Sequence, residues 1–373
     1  MINKENNQKD VSNLINNPVK YRDFLLDFMI KNDASDMFLT VNEPPCVRVY
    51  NNVYRIKGFP PLNGNDVKEL MKTLVENNEM KTFDEKLELD IGRGYEKRRF
   101  RINISRQQKN AMIVIRLFSK NIPTIDELKL PELFKELVKK HSGIILVAGP
   151  TGSGKSTTLA AMIQEINETQ QKHIITIEDP IEYVFSPKKS VIEQKQLGSD
   201  VVSFAMALRS ALRQNPNVIL FGEMRDQDSV KNAITLAETG HLVISTIHSK
   251  SCAQTINKII DSFGSEQQNQ IRIQLSDTLI GIICQRLMRK QDGKGMALAL
   301  EIMLNNTAIS NLIRKNETKQ INNIMQVNQN IGMQTLENNL IQLVEKGEID
   351  LTTAMAVAND PKGMIEEMKL RKK

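Results

Sequence analysis

An apolar run, Ile144-Ile145-Leu146-Val147-Ala148, breaks into Gly149-Pro150-Thr151-Gly152-Ser153-Gly154-Lys155-Ser156-Thr157. No other stretch constrains the fold so tightly. The string satisfies the phosphate-loop pattern GxxxxGK[ST] in the strand-then-helix setting that the pattern requires. A side chain at Gly152 or Gly154 would stop backbone N–H groups from converging on phosphate oxygens. Lys155 adds a point charge beside the outer phosphates, and Ser156 offers a hydroxyl to a magnesium ion. The helix that opens there turns its positive dipole end towards the anion. The nine residues from Gly149 to Thr157 are therefore the expected binding site for ATP with Mg2+.

Strand and helix signals alternate on either side of this turn. Strands are expected at Gly143–Ala148, His173–Ile177, Val218–Phe221 and Leu242–Thr246, and helices near Ser156–Asn167, Phe204–Gln214, Asp226–Glu238 and Ala253–Phe263. Short apolar runs separated by helices imply parallel strands covered on both faces. The expected fold is α/β: a RecA-like, doubly wound phosphate-loop ATPase domain over residues 132–345, with a helical C-terminal part. From Glu266 onward the pattern reads as mostly helical, apart from a hairpin near Asp292-Gly293-Lys294-Gly295, and residues 346–373 read as a C-terminal helix and basic tail.

At 373 residues the chain is long enough for a second domain. Residues 1–18, rich in Asn, Lys, Asp and Ser, read as a disordered leader. Residues 19–118 read as a small α+β domain, PAS-like in outline. It has a helical face at Phe24, Leu25, Phe28 and Met29, strand-like pieces at Asp36–Val41 and Val47–Tyr50, and turn chemistry at Asn51-Asn52 and Pro60–Gly64. A helix over Val67–Glu76 and two strands flanking Gln107-Gln108-Lys109-Asn110 complete it. Residues 119–131, punctuated by Pro123 and Pro131, read as a linker that docks onto the second domain.

Composition excludes several classes. No cationic start with an apolar run marks a secretory signal, and no apolar run approaches the roughly 18 residues that a spanning helix needs. Cys46, Cys252 and Cys284 lie far apart with no CxxC pair, which excludes a four-cysteine zinc site and reads as reduced, buried thiols in a cytoplasm. The net charge of +6 permits an anionic partner, but Trp is absent and aromatics make up 5%, which argues against base-stacking nucleic-acid platforms.

Hydrolysis requires acids and cations beside the triphosphate. Glu178-Asp179-Pro180-Ile181-Glu182 follows the strand Ile174–Ile177, where a magnesium-bound water would sit. Glu223 directly follows Val218–Gly222, the position of a Walker B carboxylate that polarises the attacking water. His241 and His248 bracket one strand beside the expected nucleotide edge. Arg101, Arg116, Arg209, Arg213 and Arg225 are candidates for neutralising γ-phosphate charge.

Taken together, GPTGSGKST, HIITIEDPIEY (173–183), RQNPNVILFGEMRD (213–226) and AETGHLVISTIHS (237–249) resemble, in order, the motifs of the retraction ATPases of type IV pili, the PilT and PilU type within the secretion ATPase superfamily. AISNLIRKNETKQI (308–321) is similar to their C-terminal AIRNLIRE motif, with Ser310 and Lys315 in place of Arg and Glu. The phosphate loop and GEMRD look like the PilT type, and SDMFLT is closer to PilU. Assembly and secretion ATPases share the core but usually carry a four-cysteine zinc motif, which this cysteine count forbids.

The resemblance implies a cytoplasmic homohexamer, peripheral at the inner membrane, that turns ATP hydrolysis into pilus retraction and twitching motility through an inner-membrane platform protein, with a second retraction ATPase as a further partner. It implies a nucleotide held between the small domain and the ATPase domain, Glu223 as catalytic base, and Glu178, Asp179 and Glu182 ordering magnesium and water. Lys155 and His248 complete the catalytic set, His241 belongs to the same histidine box, and Arg101 and Arg116 are the arginines that reach the phosphates. A third family arginine is matched only by Lys109, which cannot make a planar two-pronged contact. A pilus assembly or type II secretion ATPase, a RecA-like nucleic-acid translocase and a non-catalytic nucleotide-bound partner are the competing readings.

Overall fold

The computed structural model describes residues 14–49, 52–224 and 226–371. The expectations for residues 1–13, Tyr50, Asn51, Arg225, Lys372 and Lys373 fall outside the described residues. The chain forms two units: residues up to 121 together with Pro180–Tyr183, and the remainder from 122 onward.

The first unit opens with α1 (Pro18–Lys31), where the Asn17 side chain accepts from Lys20 N–H and Pro18 presets the first helical φ. The expected leader therefore ends early, because Leu14 and Ile15 already pack against the core. Strands β1 (Asp36–Leu39), β2 (Cys46–Val49), β3 (Asn52–Arg55), β4 (Glu88–Tyr95), β5 (Arg98–Gln107) and β6 (Asn110–Leu117) form an antiparallel sheet in the order β3-β2-β1-β6-β5-β4. Gln108 and Lys109, both at positive φ, make the two-residue turn between β5 and β6.

Helix α2 (Gly64–Leu74) starts earlier than the apolar pattern suggests. Asn63 and Asp66 form a reciprocal capping box, and Val67, Leu70, Met71 and Leu74 line the buried face. Helix α3 (Asn77–Lys86) escapes the sequence reading because it carries little periodicity and buries Phe83 alone, and β4 because its alternation at Leu89 and Ile91 is broken by Gly92 and Gly94.

In the second unit, α4 (Leu133–Leu137) precedes a seven-stranded sheet ordered β13-β12-β7-β11-β10-β8-β9. Here β7 is Gly143–Ala148, β8 His173–Glu178, β9 Val191–Gln196, β10 Val218–Phe221, β11 Leu242–Ile247, β12 Leu279–Arg289 and β13 Met296–Leu304. Every neighbouring pair is parallel except β12 with β13. Strands β7, β10 and β11 are buried at every residue, as expected of a sheet covered on both faces. The crossovers are α5 (Lys155–Thr169), α6 (Phe204–Ala211), α7 (Gln227–Glu238), α8 (Cys252–Asp261) and α9 (Ser265–Thr278).

The stretch after Glu266 is mostly helical apart from the expected hairpin, whose long arms, β12 and β13, extend the sheet beside the phosphate-loop strand. Residues 346–371 are not a separate tail: α13 (Leu351–Val357) and α14 (Pro361–Arg371) follow α10 (Thr307–Arg314), α11 (Ile321–Val327) and α12 (Leu336–Glu345), and Ile349, Ala354 and Met364 share a core with Met288, Ala297 and Leu340. Residues 119–131, read as a linker, bury Ile125 and Leu130, and a Thr124–Glu127 cap closes a local turn.

Candidate functional site

At the C-terminal end of β7, Ala148 stands in register with Cys284 of β12. The next residue, Gly149, has φ 149°, and a Cβ there would lie 2.5 Å from Ser153 Oγ and 2.7 Å from the Gln285 carbonyl oxygen. Gly152, at φ 78°, has no atom within 4 Å of the position its Cβ would take, so its backbone faces open space. Gly154, also left-handed, is the N-cap of α5. Behind the loop, Gln285 donates through Nε2 to the Thr158 hydroxyl at 2.7 Å, tying β12 to α5.

Lys155 is nearly buried, and its Nζ donates to the Gly149 and Pro150 carbonyl oxygens at 2.9 Å each. Two of the groups that hold this ammonium inside the loop are backbone carbonyls, weaker acceptors for it than a phosphate oxyanion. Ser153 Oγ is buried with no hydrogen-bond partner, and Ser156 is exposed on the first turn of α5. An inward cation, an orphaned hydroxyl, an uncrowded glycine backbone and a helix N-terminus fit a phosphate group.

The acids come from neighbouring strands. Glu178 ends β8 and accepts from the Thr176 hydroxyl at 2.6 Å and from Gln194 Nε2 at 3.2 Å; Asp179 follows it, exposed. Gly222 N–H donates to Ile177 O at 2.9 Å, so Glu223 leaves β10 at the same sheet edge. His248 leaves the end of β11, with Nε2 3.4 Å from Glu223 Oε1. Strand β11 separates β7 from β10, which sets the phosphate loop and the carboxylate one strand apart.

Within the second unit, one expected residue stands away from this edge. His241 lies at the opposite sheet edge, where its carbonyl accepts from Gly143 N–H at the start of β7 and its Nδ1 contacts Leu236 O at 2.9 Å. The two histidines bracket a strand six residues long, so one edge can hold only one of them. Arg209 and Arg213 are exposed. In the first unit, Arg116 Nε donates to the buried Asp36 at 2.8 Å, Arg101 pairs with Asp90, Lys109 caps the exposed β5–β6 turn, and Glu182 falls among Pro180–Tyr183.

Two features were missed in the sequence. Gln285 is one: a lone polar residue ending the apolar run Leu279–Cys284 was its only signal. The other is a cleft beside Pro150 and His248, lined by Lys250, Lys258 and Arg286, whose residues come from segments far apart in the chain.

The family model described as "Type II/IV secretion system protein" matches residues 69–359. The type IV pilus retraction ATPase PilT of Pseudomonas aeruginosa is 42% identical over 340 residues, covering 90% of this chain and 98% of that protein. The type IV pilus ATPase PilU of the same organism is 36% identical over 348 residues, covering 92% and 90%. A crystal structure of the pilus retraction motor PilT with bound ADP superposes with a TM-score of 0.85 at 43% identity, covering 92% of this chain and 98% of that one.

Proposed function

This chain belongs to the type II/IV secretion system protein family, in its pilus retraction ATPase branch, and from that premise we propose that it hydrolyses ATP to drive retraction of a type IV pilus. The observation that carries the reading is that the phosphate loop with Lys155 and the Glu223–His248 pair stand at the same sheet edge, one strand apart. In this reading Lys155 exchanges the Gly149 and Pro150 carbonyls for phosphate oxygens, and the loop amides around Gly152 hold the rest of the polyphosphate. Glu223 accepts the proton of the attacking water, and His248 holds that carboxylate in place. Ser156, Glu178 and Asp179 are the residues that would hold Mg2+, whose charge neutralises the phosphates when bound. Arg101 and Arg116 are proposed phosphate ligands that would exchange Asp90 and Asp36 for the anion.

The assembled state is proposed to be a homohexamer acting on an inner-membrane platform protein, alongside a second retraction ATPase. Among the described residues no helix is long and apolar enough to cross a membrane, so a membrane-side role would come through such a partner. Replacing Glu223 by Gln in the host tests the function. Phosphate release by the purified protein should fall to background and the cells should carry excess surface pili; bald cells would point to assembly instead, and unchanged turnover would remove Glu223 from the reaction.

A further inference from the structure

Away from the phosphate loop, three groups that the ATPase reading leaves unused meet in the core of the second unit. Cys252 opens α8, Cys284 lies in β12 and Glu301 in β13; each is at most 2% exposed. Their ligand atoms, the two Sγ and one carboxylate oxygen, all lie within 4.8 Å of one another. The sulfurs are 3.8 Å apart. Two thiolates bound at about 2.3 Å to one tetrahedral zinc stand about 3.8 Å from each other.

Packing of two apolar thiols would account for the sulfur separation alone. It does not account for the carboxylate. Glu301 Oε1 accepts the Cys252 backbone N–H at 3.1 Å, while Oε2 is buried with no hydrogen-bond partner. A buried acid with one satisfied oxygen is costly unless it is paired or binds a metal.

We infer that Cys252, Cys284 and Glu301 form a binding site for a single borderline-soft divalent cation, with zinc as the ion that suits two thiolates and one carboxylate. As the two Zn–S bonds form, each thiol proton passes to solvent, and Glu301 contributes its carboxylate. The Cys252 N–H bond to Oε1 is the outer contact that fixes the carboxylate's orientation. The fourth position falls to an oxygen already beside the sulfurs, the Ile282 carbonyl at 3.4 Å from Cys252 Sγ or the Thr255 hydroxyl at 3.9 Å from Cys284 Sγ.

The site would brace the catalytic edge from behind. Cys284 pairs in register with Ala148, the residue before the phosphate loop, and Cys252 lies four residues beyond His248. Thr255 also bonds to Ser249, which adjoins His248. An ion at this point would tie the segment carrying His248 to the strand beside Gly149.

The full chain, purified without chelating resin and gel-filtered, is assayed for bound metal by elemental analysis, then reloaded with Zn2+ or Co2+. About one zinc per chain is expected in the wild type and in Cys46→Ala, with loss in Cys252→Ala, Cys284→Ala and Glu301→Gln. Co2+ should give a thiolate-to-metal charge-transfer band and the visible absorption of a tetrahedral ion. That spectrum needs no variant, so it decides the matter if a core substitution fails to fold. Absence of both zinc and the cobalt band from the wild type overturns the assignment, as does metal retained unchanged in the folded cysteine variants.

Discussion

Gly149 and Gly152 sit three residues apart in one loop, yet alanine at the two positions should fail in different ways. At Gly149 the added methyl meets Ser153 Oγ at 2.5 Å and the Gln285 carbonyl at 2.7 Å, and the second of these is backbone locked in β12. The φ of 149° is itself essentially restricted to glycine, which costs about 1–3 kcal/mol for alanine. Displacing a packed neighbour adds about 1–3 kcal/mol. Gly149→Ala should thus destabilise the second unit by roughly 2–6 kcal/mol. At Gly152 the methyl meets nothing within 4 Å, leaving only the left-handed backbone term of about 1–2 kcal/mol. In the proposed reading that open space is where the loop amides would receive a phosphate, so the methyl would obstruct it. One lost charge-assisted hydrogen bond of about 1.5 kcal/mol weakens ATP binding about tenfold. Urea unfolding followed by circular dichroism measures the first effect, and titration with a fluorescent ATP analogue the second. Equal stability losses, or Gly152→Ala binding ATP as the wild type does, would refute the geometry assigned to this loop.

Glu223→Gln should lower kcat by roughly 10²–10⁴ while ATP affinity stays unchanged, as read by phosphate release and nucleotide titration. Loss of affinity with intact kcat would make Glu223 a binding group rather than a base. His248→Ala should lower kcat because Glu223 loses its partner at 3.4 Å. His241→Ala should leave kcat unchanged and cost about 1 kcal/mol of stability through the lost contact with Leu236 O. Equal kinetic effects of the two histidine variants would contradict their placement at opposite edges.

Local pattern alone sufficed for the phosphate-loop strand and helix, the acidic residues after β8 and β10, and the turn at Gln108-Lys109. Each is encoded within a few consecutive residues, by apolar runs, glycines or turn chemistry, and needs no distant partner to be read. The polar helix α3, the edge strand β9 and the long arms β12 and β13 were not legible in this way. Their conformation is fixed by the neighbours they pair with, and a buried strand and a buried helix segment look alike in a short apolar run. Only the tertiary structure separated His248 from His241, because sequence proximity does not say which end of a parallel strand faces the ligand. It alone gathered Cys252, Cys284 and Glu301, which β12–β13 pairing and the packing of α8 bring together although the outer two are 49 positions apart in the chain. Sequence determined where an anion can be held; the order of strands in the sheet decided which side chains surround it.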